Sequence, residues 1–261
     1  MLNSFYLYPI LFLTGTAAGF VDSIAGGGGL ITLPILLTVG LPPQIALGTN
    51  KFQASFGSFT AAFYYVQRGL ASLKNVKLGI VCTLIGAAIG TYSVQRVSGK
   101  ILADVIPFML LAVLVYVVTV PNAGMRKRTF RQTAIASNNG LRQHIFYGIA
   151  GLTLGFYDGF FGPGVGSFWA IAFVGAMRFD FAKATGYTKV MNFTSNAVSL
   201  LVFLTGGFIW FATGISMAVG QIVGAKLGSR MVIRKGVQII RPFYIAVVAF
   251  TIAKLLYDRL L

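Results

Sequence analysis

The sequence is poor in the residues from which catalytic and metal centres are built. It has one cysteine, Cys82, and one histidine, His144. A lone cysteine excludes an internal disulfide and a dithiol electron relay, and a Cys/His metal site would lack ligands. Glutamate is absent, and the five acidic residues are all aspartates. General acid–base and nucleophilic chemistry therefore has few groups to draw on. The chain is not expected to be an enzyme, to carry a cofactor or to hold a metal. Charged residues make up only 10% of the chain, against about 25% in soluble domains.

What the chain does have is apolar sequence: 56% of its 261 residues are hydrophobic, with a mean hydropathy of +0.81. This is the composition of an all-α integral membrane protein, without room for a separate soluble domain. The first basic residue is Lys51, so the opening apolar stretch lacks the positive region of a cleaved signal and reads as a retained span. The net charge is +16, which in a soluble protein would suggest nucleic acid. Here the bases flank apolar runs and read as loop anchors facing the lipid bilayer. No nucleic-acid partner is expected. Gathering an anionic substrate would be a secondary use of the surplus.

A span needs about 20 apolar residues. On that measure the first half divides near 4–25, 29–41, 45–67, 75–95 and 101–120, and the second near 143–162, 165–178, 182–205, 208–229 and 237–257. The halves are 1–120 and 143–261, joined by a basic cytoplasmic linker, 121–142. The second segment of each half is short and either crosses thinly or re-enters. If the chain starts outside, fourteen bases fall in inside loops, while the outside loops hold only Arg96 and Lys100, with Lys254 and Arg259 at the C-terminal end. Both termini are then outside. Five segments per half turn the second half over relative to the first. The expectation is a polytopic bundle of two inverted repeats, 5+5 segments and about 8–10 spans, with glycine-broken helices.

The two halves also echo each other in sequence. Gly19-Phe20-Val21-Asp22 runs into Gly26-Gly27-Gly28-Gly29, and Gly155-Phe156-Tyr157-Asp158 runs into Gly162-Pro163-Gly164-Val165-Gly166, at an offset of 136 residues. Farther on, Gly48-Thr49-Asn50-Lys51 matches Gly186-Tyr187-Thr188-Lys189 at an offset of 138. Each glycine costs about 1 kcal/mol relative to alanine inside a helix, and Pro163 also removes a donor. The glycines read either as packing kinks or as helix breaks whose free N–H groups bind an anion. Recurrence at matching positions favours the second reading. Gly86 with Gly90, and Gly220 with Gly224 and Gly228, have the spacing of close helix packing.

Lys51 and Lys189 lie about a turn and a half into their segments. They either face a wet cavity or snorkel to the near interface, and their paired Thr49-Asn50 and Thr188 context favours the cavity. Thr49, Asn50, Thr188 and Asn192 add neutral donors. Asp22 and Asp158 could take up a coupling proton or sodium ion, or could hold the glycine turn by accepting N–H bonds. The structural role is preferred, because an anion site gains nothing from two carboxylates.

These motifs resemble the TauE/SafE family of sulfite exporters, within its YfcA-like branch. The similarity rests on Gly19–Gly29 followed by Pro34, on Ala46-Leu47-Gly48-Thr49-Asn50-Lys51, and on Asp158–Gly164 with Ala184–Lys189. It implies a multi-pass inner-membrane permease for sulfite, sulfonates or related sulfur-containing or organic anions. A passive anion channel is the alternative, and a membrane enzyme or assembly factor is disfavoured by the missing chemistry. A homo-oligomer remains open.

Overall fold

The computed structural model describes residues 4–119 and 140–235. Among these residues all regular structure is helical: α1 (Ser4–Ala25), α2 (Gly29–Thr38), α3 (Pro43–Gln67), a 3-10 turn (Leu73–Val76), α4 (Lys77–Gln95), α5 (Gly99–Thr119), α6 (Gly140–Phe160), α7 (Val165–Ala176), α8 (Phe181–Thr205) and α9 (Phe211–Lys235). Nine of the ten expected segments have a counterpart. The tenth, 237–257, and most of the linker lie outside the described residues. The linker also ends earlier than its composition suggests, since α6 already begins at Gly140.

The bundle has an apolar core, but it also exposes large apolar side chains and buries many polar ones, unlike a soluble protein. Phe56, Phe59, Phe63, Ile85, Ile89, Ile149 and Leu201 face outward, while Asn50, Gln53, Ser58, Thr91, Asn192, Ser199 and Gln221 are buried. Hydrocarbon around the bundle favours this arrangement, because polar groups then find partners only inside. The stretches Tyr6–Ile24, Leu73–Gln95 and Gly99–Tyr116 are long and apolar enough to cross a membrane by length and composition. Helices α3 and α8 each run 25 residues, but their polar middles hold Lys51 and Lys189.

Helix α2 has 10 residues and α7 has 12, so at 1.5 Å per residue each is about half the thickness of a hydrocarbon core. Neither crosses alone. Helix α2 starts beside Asn50, about two turns into α3, and ends at the turn leading back to the start of α3. Helix α7 starts beside Asn192 and leads to the start of α8 in the same way. Asp180 caps α8 by accepting from the Lys183 N–H at 3.0 Å, and Pro43 opens α3 where a missing donor costs nothing.

Close packing fixes the helix directions. The most extensive contacts are α1 with α9 and α4 with α6. Gly15, Gly19 and Gly224 place residues 15 to 20 of α1 against 217 to 224 of α9 in rising order, so these helices run parallel. Gly79, Gly155 and Gly159 do the same for α4 and α6. Helix α3 runs parallel to α9, with Gly214 at Phe52 and Gly57 at Gln221. It is antiparallel to α8, with Gly48 at Phe203 and Gly186 at Leu70. The pairs Thr91–Ser199 and Gln95–Val202 set α4 parallel to α8. Thus α1, α3 and α9 point one way and α4, α6 and α8 the other. Arg68, Lys74, Lys77, Arg142 and Arg178 gather at one end of the bundle, Arg96 and Lys100 at the opposite end.

The small-residue spacings act as packing devices. A Cβ on Gly86 would come 2.8 Å from the Phe156 nitrogen, and one on Gly224 would come 2.7 Å from the Phe20 nitrogen. Backbone cannot yield as a side chain can. Gly86→Val and Gly224→Val should each destabilise the bundle by at least about 1–3 kcal/mol, read as a lower melting temperature in detergent. Gly148→Val, which meets nothing within 4 Å, should melt close to the parent. Equal melting of all three would contradict this packing.

Candidate functional site

Each half breaks a helix inside the bundle. After α1, Gly26 and Gly27 adopt φ of 72° and 126°, a left-handed backbone that side chains resist. Asp22 holds the turn: its Oδ1 accepts from the Gly27 N–H at 3.0 Å and the Gly28 N–H at 3.2 Å. After α6, Gly162 and Gly164 have φ of 95° and 83°. There the Tyr157 hydroxyl donates to the Pro163 carbonyl at 2.7 Å, and Asp158 is turned elsewhere. The two breaks pack on each other. A Cβ on Gly26 would stand 2.5 Å from the Gly166 Cα, so glycine is required on both sides, and Ser167 Oγ donates to the Gly26 carbonyl at 3.3 Å.

The charged residues pair across the halves. Lys51 of α3 donates to Asp158 Oδ1 at 2.5 Å, and Lys189 of α8 donates to Asp22 Oδ2 at 2.9 Å. Neither lysine snorkels, being 2% and 0% exposed. Each ammonium is therefore engaged by an aspartate of the opposite half rather than held free. Lys51 also donates to Asn196 Oδ1 at 3.1 Å, and Ser195 Oγ donates to Asp158 Oδ2. Asn192, turned as its neighbours require, accepts from Lys189 Nζ at 3.3 Å and donates to the Thr188 carbonyl at 3.3 Å.

Between the breaks lies a cavity of about 30 Å³, room for a few water-sized groups. Among the residues named from sequence, Asp22, Gly27, Gly28, Gly29, Asn50, Lys51, Asp158, Gly162, Gly164, Gly166 and Asn192 line it. Asn50 accepts from Thr32 at 2.5 Å and from Gln53 at 2.8 Å through its amide oxygen, so its amide nitrogen is the end left for the cavity. The starts of α2 and α7 both reach this space. The Leu30, Ile31, Val165 and Ser167 N–H groups turn back onto the Gly27, Gly28, Gly162 and Gly164 carbonyls, so the donors left at the two helix starts are those of Gly29 and Gly166.

Four of the expected residues stand behind the lining. Gly26 is covered by Gly166. Lys189 is sealed behind Asp22. Thr49 accepts from the Trp210 N–H at 2.9 Å and so fastens the start of α9. The Thr188 hydroxyl is buried and has no partner among the described residues. Conversely, Ala54, Val165, Asn196 and Gln221 line the cavity without having been singled out. Asn196 lies two helical turns beyond Lys189 on the same face, a periodicity that sequence could have offered. Gln221 offered a weaker cue, as a polar residue beside the packing glycine Gly220.

The sulfite exporter TauE/SafE family matches residues 11–255. The chain is 44% identical over 252 residues to the "Probable membrane transporter protein YfcA" of Escherichia coli K12, covering 97% of this chain and 90% of that one. It is 40% identical over 257 residues to a "Probable membrane transporter protein" of Haemophilus influenzae, with 97% and 96% covered. The "Sulfite exporter TauE/SafE family protein 6" of Arabidopsis thaliana is a distant relative, 25% identical over 115 residues, 44% of this chain and 26% of its own. No solved structure matches the chain. With the match spanning nearly its whole length, the chain belongs to the sulfite exporter TauE/SafE family of membrane transporters.

Proposed function

We propose that the protein is an inner-membrane secondary transporter of small anions, built as two inverted repeats around the mid-height cavity. The observation that carries this reading is the meeting of two half-helix starts, one from each half, at a cavity beside paired charges. A helix start carries about half a positive charge, and although Asp22 takes the Gly27 and Gly28 N–H groups, those of Gly29 and Gly166 are left for a ligand. Two such starts facing one space favour an anion there, while the two lysines and two aspartates cancel. The inverted arrangement is supported by helix direction. If α1–α4 correspond to α6–α9, every counterpart runs opposite to its mate, and the contacts α1–α9 and α4–α6 exchange with each other. The base-rich end would face the cytoplasm. Sulfite, sulfonates and related sulfur-containing or organic anions are the substrate class, in line with the family name and that of the Arabidopsis relative.

The aspartates divide the work. Asp22 spends one oxygen on two glycine N–H groups and is assigned to hold the turn. Asp158 spends its oxygens on Lys51 and Ser195, with the Asp22–Lys189 pair as the other charges at the cavity. A proton arriving at Asp158 would cancel its hold on Lys51 and free the ammonium for the anion. Anion and proton would then bind together and cross together.

Topology is tested by single cysteines at Arg68, just after α3, and at Thr205, the last residue of the corresponding helix α8, on a Cys82→Ser background. Membrane-impermeant labelling should reach them from opposite faces, and reaction of both from one face would reject the inversion.

Function is tested in proteoliposomes with radiolabelled sulfite. The parent should accumulate sulfite against its gradient when the pH gradient is imposed, whereas a channel would only equilibrate it. Absence of flux for sulfite, sulfonates and carboxylates would reject the reading. Asp158→Asn should keep anion exchange but lose the response to the pH gradient, while Asp22→Asn should lower the yield of folded protein. Lys51→Gln should weaken anion binding by about 1.5–3 kcal/mol, the worth of one charge-assisted hydrogen bond.

A further inference from the structure

We infer that Gln221 of α9 selects among anions: its amide donates to an oxygen of the bound substrate and sets a preference for oxyanions over halides. This rests on the anion site proposed above. Gln221 is 2% exposed and lines the cavity, yet its side chain makes no hydrogen bond to any described residue. A buried primary amide without partners is costly, so its place beside the cavity points to a ligand that satisfies it.

The amide oxygen of Gln221 is seated against two glycines. A Cβ on Gly19 would lie 2.8 Å from Gln221 Oε1, and a Cβ on Gly57 would overlap the same atom. The amide oxygen is thus seated in a notch between the glycine Cα atoms of α1 and α3. The Nε2 group, with two N–H donors, is the end left for the cavity.

The residue is also where the two halves part company. The contacts that match Gly86 to Gly224 and Gly90 to Gly228 place Gln221 opposite Thr83: each presents its carbonyl to a glycine, Gly19 or Gly155. The Thr83 hydroxyl is directed to Met191 Sδ at 3.6 Å, away from any ligand. Ala54 follows Lys51 by the interval at which Asn192 follows Lys189, and its small side chain leaves space on the Gln221 side. A long neutral donor therefore enters from one half only. A halide, a single sphere, is held adequately by the helix starts. An oxyanion offers a further oxygen, and a site that hydrogen-bonds it discriminates against ligands lacking one.

The test measures equilibrium binding of sulfite, acetate and bromide to the purified full-length protein. Gln221→Met, similar in length and without a donor, should weaken sulfite and acetate roughly three- to ten-fold, the range of one neutral hydrogen bond, and leave bromide unchanged. Gln221→Asn withdraws the amide by one methylene and should shift the oxyanion-to-bromide ratio in the same direction, which keeps the test open should the Met variant not fold. An unchanged ratio in a folded variant, or equal weakening of all three anions, would overturn the assignment of Gln221 alone. Failure of the parent to bind any anion would instead overturn the anion site itself.

Discussion

Charged groups enclosed in an apolar bundle persist only if each meets its opposite; here Lys51, Asp158 and Lys189 are buried and Asp22 is partly so, and each opposite comes from the other half of the chain. Lys51 reaches Asp158 and Lys189 reaches Asp22. Removing one partner of such a pair typically costs 3–5 kcal/mol, because a buried charge is left uncompensated. The consequence is architectural. Neither half can bury its own lysine and its own aspartate in this arrangement, so the polar faces of α3 and α8 are completed only when the halves assemble. The antiparallel crossing of α3 and α8, and the stacking of Gly26 on Gly166, accompany the meeting of those two pairs at one cavity.

The same constraint shapes the site. Holding both ion pairs and both breaks together leaves a small cavity whose formal charges cancel and whose remaining polarity comes from helix starts and amides. A ligand can compete for Lys51, which lines the cavity, whereas Lys189 is sealed behind Asp22. The halves thus supply one pair that reports to the cavity and one that holds the turn.

Much of this was legible in the sequence, for physical reasons. Apolar length marked the segments, glycine and proline marked the breaks, and lysine or aspartate inside apolar sequence marked positions needing a partner. The short second segments were seen as short, and at about half a hydrocarbon thickness neither crosses alone. What could not be read was the pairing, since Lys51 and Asp158 stand 107 residues apart and Lys189 and Asp22 stand 167 apart. Treated singly, each lysine had only an anion or the interface to turn to. The place of Gln221 at the cavity depends on which helix lies beside α9, and Thr49 bonds the start of α9 rather than lining the cavity.

The claim on which the account turns is that an anion sits between the two helix breaks. Selenite is a close analogue of sulfite with an anomalous X-ray signal, so crystals of the full-length protein grown with it locate the site directly. The account predicts an anomalous peak between the starts of α2 and α7, within hydrogen-bond reach of the Asn50 and Gln221 amides. A peak found only elsewhere, in protein that binds selenite in solution, would contradict it.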